Sequence, residues 1–238
     1  MFALAMPETS AKAYFADIPD VLPDEAPAPP AAPPLELWTR LHGSPKTRAV
    51  AKRNRSAALV ASVAWATVQL VALGVRPDFS RLPSLYVLAT ILAPLGLAVA
   101  ALVIALSKGR LGLGPRVAVV AALALAGPPT FVAIALAWPE PAGARAGDLR
   151  SIVLCGNLAL AWAALPLIAA ALTLRRSFAG AALWRSALLG TAVGLGAAVA
   201  AQLRCPLGDS LHVAVAHGGA VLVAALAGAF LLARATRI

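Results

Sequence analysis

The chain has 238 residues, of which 61% are hydrophobic and only 13% charged, and its mean hydropathy is +0.83. Soluble domains run at about half apolar and about a quarter charged, so an ordinary water-soluble fold is excluded. The net charge of +10 would fit direct nucleic-acid binding only if the cations shared one exposed face, whereas here they fall in short runs between apolar stretches, the pattern of membrane loops.

The first 55 residues are polar enough to be read as a cytoplasmic, disordered segment carrying linear motifs, with residues 56–238 forming the membrane domain. Seven prolines between Pro19 and Pro34 rule out a continuous helix there and predict an extended linker. Short apolar clusters flank it. Tyr14 and Phe15 lie on one side, and Leu35, Leu37, Trp38 and Leu41 on the other, with Leu35, Trp38 and Leu41 at three-residue spacing. These residues either lie on the membrane surface, helped by the basic run from Lys46 to Arg55, or dock a soluble partner as a helix or linear motif. No signal peptide is expected, since the first long apolar stretch starts only at Ser56 and is retained as an anchor.

A hydrocarbon core of about 30 Å needs about 20 apolar residues per helix. Six uncharged runs meet that length: Ser56–Val75, Leu85–Ser107, Val117–Trp138, Ser151–Thr173, Ser186–Leu203 and Val213–Ala233. The fifth is the shortest, and Phe178–Leu183 extends it if Arg185 snorkels. The fold class is therefore all-α, a polytopic membrane protein of six transmembrane helices. Orientation follows from the cations, because short cytoplasmic loops hold the excess of Lys and Arg. With both ends inside, Arg76, Arg81, Arg145, Arg150 and Arg204 fall outside, and the other fifteen of the 20 basic residues fall on the cytoplasmic side.

Pro94, Pro128, Pro129 and Pro166 should kink or locally unwind spans two, three and four, which lipid tolerates only where neighbouring helices satisfy the freed carbonyls. A packed bundle is implied. Gly190 and Gly194 in span five, with Gly218, Gly219 and Gly228 in span six, predict close backbone packing of these two helices; the GxxxG spacing also admits a homo-oligomer.

The two cysteines, Cys155 and Cys205, both map near the outer face, where they could meet as a disulfide or as a thiol pair open to oxidants and soft metals. Against this stands the plain reading of Cys155 as a small apolar filler and Cys205 as a loop residue. His212 and His217 start span six, and a histidine inside a span is a functional candidate. Five residues turn an α-helix through about 500°, so the two imidazoles should point apart and are not a ready-made metal pair; His212 and His217 are accessory polar or metal candidates, and a hydrogen bond from His217 to a helix carbonyl or to Asn157 explains it as well. No catalytic residue is assigned. CxxC, HExxH, paired intramembrane carboxylates and a phosphate-binding Gly-rich loop are all missing, so no enzyme and no cofactor is expected. A small transporter or transporter accessory subunit is the alternative, weakened by the lack of an intramembrane charge for coupling, and a membrane thiol or metal enzyme is a third reading.

From about Ser151 to Arg237 the chain resembles the six-helix membrane anti-sigma proteins of the NrsF type, negative regulators of extracytoplasmic-function sigma factors. Leu154-Cys155-Gly156, Leu165-Pro166 and Leu174-Arg175-Arg176 carry the first part; Arg204-Cys205-Pro206 after the small-residue fifth helix carries the second; Leu226 to Phe230 closing on Arg234 carries the third. The chain departs from the usual pattern at Ala216-His217, where many members have Trp-Tyr. The resemblance implies a regulator in the bacterial inner membrane whose partners are an extracytoplasmic-function sigma factor and the bilayer. Its cytoplasmic segment would hold the sigma factor, and an outer-face redox or metal event at Cys155 and Cys205 would release it.

Overall fold

The computed structural model describes residues 74–107, 116–137, 147–174 and 181–236, together with individual residues between 53 and 72. All of them belong to one compact unit, 45–238. Each described residue between 53 and 72 is helical, and this segment is designated α1. Five further helices follow: α2 (Ser84–Leu106), α3 (Val117–Ala137), α4 (Leu149–Thr173), α5 (Ala182–Arg204) and α6 (Ser210–Thr236). Each of the five is long and apolar enough to cross a membrane, and no strand occurs among the described residues. The protein is thus an all-α membrane protein, with spans two to six within a few residues of expectation. Tyr14, Phe15, Leu35, Leu37, Trp38, Leu41 and the Pro-rich segment lie outside the described residues.

The bundle is built around α5. Its apolar stretch is 83% buried, against 17% for α4. The reason lies in its sequence: alanine and glycine at most positions from Ala187 to Ala201 leave room for neighbours on every side. The outer helices instead turn large side chains outward, among them Leu85, Leu92, Val99 and Val103 of α2 and Leu165, Ile168 and Leu172 of α4, as a lipid-facing surface requires.

The closest approach is between α5 and α6. A methyl group at Gly190 would strike the Ala224 carbonyl oxygen, one at Gly228 would strike that of Ser186, and one at Gly194 would lie 2.9 Å from the Val221 Cα. The glycines expected at this seam therefore serve packing within the chain. Gly218 instead faces Val132 and Phe131 of α3, and a side chain at Gly196 or Gly219 meets nothing within 4 Å, so these three do not take part.

Of the proline-bearing helices, only α2 leaves the α-helical path. Its π turn at Leu88–Leu92 directly precedes Ala93-Pro94 and shifts the hydrogen-bond register by one residue, Ala93 N–H bonding back to the Leu88 carbonyl. Helices α3 and α4 continue through Pro128, Pro129 and Pro166. A proline at position i frees the carbonyl at i−4, here Ala124 for Pro128 and Trp162 for Pro166. The carbonyls freed by Pro128 and Pro166 have each found a donor on another helix. Thr191 Oγ1 of α5 lies 3.4 Å from the Ala124 oxygen and 3.1 Å from that of Ala187, sharing its proton between them, and Trp65 Nε1 of α1 donates to the Trp162 oxygen at 3.2 Å.

Arg185 departs from expectation. It lies inside α5, 7% exposed, and its guanidinium turns inward to the end of α2, donating from Nε to the Ala105 carbonyl at 3.0 Å and from an Nη to that of Ser107. The last carbonyls of a helix have no intrahelical partner, so a cation there completes them and also meets the negative end of the helix dipole.

Candidate functional site

At the opposite end of the bundle the chain gathers its polar side chains. Helix α6 begins at an N-cap, Asp209, whose Oδ1 accepts from the His212 N–H at 2.9 Å while Oδ2 accepts from the Gly147 N–H at 2.7 Å. One carboxylate thus ties the start of α6 to the segment entering α4. Gly147 leaves the room that the His212 ring needs, since a methyl there would overlap Nδ1.

The next turn decides the site. Residues Val213–Gly218 form a π turn, which closes its hydrogen bonds five residues apart. A regular α-helix would send His217 to another face than His212, but the wider turn returns it, and the rings stand edge to face with centroids 5.6 Å apart and planes at 78°. The expectation that the two imidazoles point apart is therefore corrected, and the cause is this turn.

Cys155 reaches the same spot from the second turn of α4, and Cys205 from the C-cap of α5. Their sulfurs are 3.6 Å apart, and Cys205 Sγ is 3.4 Å from His212 Nε2. Both cysteines are free thiols; a disulfide would need about 2.05 Å. One donor atom from each of Cys155, Cys205, His212 and His217 lies within 4.8 Å of the others. Both imidazoles are wholly buried, Cys205 is buried and Cys155 half-buried. Neither ring nitrogen of His217 has a hydrogen-bond partner in the described protein, nor does His212 Nδ1. Asn157 is exposed on α4 and does not supply one. An unsatisfied buried polar group costs about 1–3 kcal/mol, so these ring nitrogens favour an added partner.

A second polar group lies beside Cys205. Arg76, in the loop before α2, is buried, forms a two-pronged ion pair with Asp78 at 2.6 and 2.7 Å, and donates to the Pro206 carbonyl at 3.2 Å; its backbone N–H bonds to the Leu203 carbonyl at 2.8 Å. The hydrogen bonds from Arg76 hold the Asp78 carboxyl below its ordinary value. Beside this clamp, Gln202 Nε2 donates to the Tyr86 hydroxyl at 2.7 Å, joining α5 to α2. Arg76 therefore brackets Cys205 from both sides along the chain. Sequence reasoning counted Arg76 only as a loop cation and passed over Tyr86, Gln202 and Asp209. Gln202 did carry a signal, as the single side-chain amide in α5.

The family comparison covers nearly the whole chain. A family model described as "Negative regulator of sigma F" (NrsF) matches residues 42–237. The match extends over the first three helices as well as the C-terminal part where the resemblance was read, and Tyr14, Phe15, Leu35, Leu37, Trp38 and Leu41 all precede it. Neither the curated proteins nor the solved structures contain a match. With that extent of agreement and an all-helical membrane fold, the chain belongs to the NrsF family of negative regulators of a sigma factor.

Proposed function

We propose that the protein is a non-enzymatic, membrane-bound anti-sigma factor that sequesters an extracytoplasmic-function sigma factor at the cytoplasmic face of a bacterial inner membrane. An outer-face redox or metal signal at Cys155 and Cys205 releases it. The observation that carries this reading is the family match over residues 42–237. The thiol pair supports the signalling half, because its sulfurs, 3.6 Å apart, come from separate helices.

In this reading both termini are cytoplasmic, as the excess of Lys and Arg there favours. Tyr14, Phe15, Leu35, Leu37, Trp38 and Leu41 dock the sigma factor, and the Arg185 end of the bundle faces it. Drawing the sulfurs together, or binding both to one ion, pulls the outer part of α4 towards the end of α5. Helix α5 is seated backbone to backbone on α6 and holds the end of α2 through Arg185. A displacement at one end is thereby carried along a stiff pair of helices to the other.

The alternative of a small transporter gains no support. Of the two buried cations described, Arg185 reaches the carbonyls at the end of α2 and Arg76, in the loop before α2, is held by Asp78 and the Pro206 carbonyl, and the groove of about 300 Å³ beside Leu59, Leu95 and Trp162 is apolar.

The test is co-purification from membranes. The full chain is expected to retain a sigma factor; deletion of residues 1–50 should lose it. Replacing both cysteines by Ser should keep it bound while abolishing induced expression of the sigma-dependent genes. Retention after the deletion would sink the docking assignment, and normal induction in the Cys→Ser pair would sink the thiol assignment.

A further inference from the structure

The four-residue cluster has the chemistry of a metal site, and two of its donor separations already have the dimensions of one. Zinc bonds of about 2.3 Å to sulfur and about 2.0–2.1 Å to nitrogen, at tetrahedral angles, put two sulfurs about 3.8 Å apart and a sulfur and a nitrogen about 3.5 Å apart. The observed separations are 3.6 Å for Cys155 Sγ to Cys205 Sγ and 3.4 Å for Cys205 Sγ to His212 Nε2, with every donor atom within 4.8 Å of the rest. Two sulfurs and two imidazole nitrogens in this arrangement favour zinc-like ions.

The histidines decide between a metal site and a simple redox pair. A disulfide would use only the two sulfurs and would leave His217 as it stands, wholly buried with both ring nitrogens unpartnered. A four-coordinate ion engages it. Charge points the same way: two thiolates balance a dication, so the complex enters this buried setting with no net charge, whereas a monovalent ion would leave an uncompensated anion. Zn²⁺ combines this charge with a preference for thiolate and imidazole in tetrahedral geometry.

We propose that Cys155, Cys205, His212 and His217 together bind one Zn²⁺-class divalent cation. Both thiols lose their protons on binding, so one ion enters and two protons leave, with no change of oxidation state. The ion links α4, the end of α5 and the first turns of α6. This deepens the proposed signalling role and rests on it for its biological consequence, but the site can be tested without any sigma factor.

The full-length chain, purified in detergent, reduced and stripped with a chelator, is titrated with Co²⁺ as a spectroscopic probe. The expected result is a sulfur-to-cobalt charge-transfer band together with the visible bands of tetrahedral cobalt, both erased by one equivalent of Zn²⁺. Cys155→Ser with Cys205→Ser should abolish the charge-transfer band. His217→Ala should keep that band but weaken Zn²⁺ binding by about a hundredfold, since even changes behind the ligands cost about 10–100-fold. Zn²⁺ should also slow maleimide labelling of the wild-type thiols, a readout that requires no variant to fold. An absent cobalt spectrum, or unchanged Zn²⁺ affinity in a folded His217→Ala protein, would overturn the site. A chain that captures and releases its sigma factor without binding metal would overturn it too, leaving the regulator intact. Metal bound through all four residues in a chain that captures no sigma factor would support the site and remove the regulator reading instead.

Discussion

The two ends of the α5–α6 pair are built on opposite principles. At the Arg185 end every polar group named here has a partner: Arg185 completes the end of α2, Ser186 and Thr236 share a hydrogen bond at 3.0 Å, and glycines let the two backbones touch. At the cysteine end α6 widens into a π turn, and three buried imidazole nitrogens have no partner. One end is energetically complete and the other is not. Stability and responsiveness are thus separated along a single helix pair, with the ligand-ready end held by the finished one.

That contrast predicts substitutions of opposite sign. Arg185→Met removes two charge-assisted hydrogen bonds and strands the Ala105 and Ser107 carbonyls, so it should destabilise the protein by about 3 kcal/mol, the largest loss expected. His217→Leu, measured in chelator, should instead raise stability by about 1–2 kcal/mol, because it replaces an unsatisfied buried imidazole with an apolar side chain. Thermal or denaturant unfolding in detergent reads both. A destabilised His217→Leu protein would mean that the imidazole already has a good partner when no metal is bound, and the contrast between the two ends would fail.

Much of this was legible in advance, and the failures have identifiable causes. Apolar runs of membrane length located spans two to six, because lipid demands long uncharged helices whatever the sequence does elsewhere. The α5–α6 seam was legible as well, since only glycine permits such an approach and both helices supply it. The convergence of His212 and His217 was not. It depends on a π turn at Val213–Gly218, whose sequence carries no mark of the added residue, and 100° per residue gives the wrong face. Arg76 was illegible for another reason. A cation in a short loop looks solvated until the loop folds back, and only contacts with Leu203 and Pro206, more than a hundred residues on, reveal it as buried.

The prolines supply the smallest effect and the finest test. Their freed carbonyls were expected to need donors from other helices, but the identity of the donors is a tertiary fact: Thr191 for Ala124 and Trp65 for Trp162. Thr191→Val keeps a methyl against Gly127 and deletes only the hydroxyl, so it should cost about 0.6 kcal/mol, the usual size of a hydrogen bond between membrane helices. A loss that small has many explanations, and the proline provides the control. In a Pro128→Ala background residue 128 regains its N–H and can bond the Ala124 carbonyl itself, leaving Thr191 with nothing to repair there. The cost of Thr191→Val should then shrink, giving a coupling of several tenths of a kcal/mol between positions 128 and 191 in a double-mutant cycle. Equal costs in the two backgrounds would show that the hydroxyl serves only the Ala187 carbonyl of its own helix, and that α3 carries its proline without help from α5.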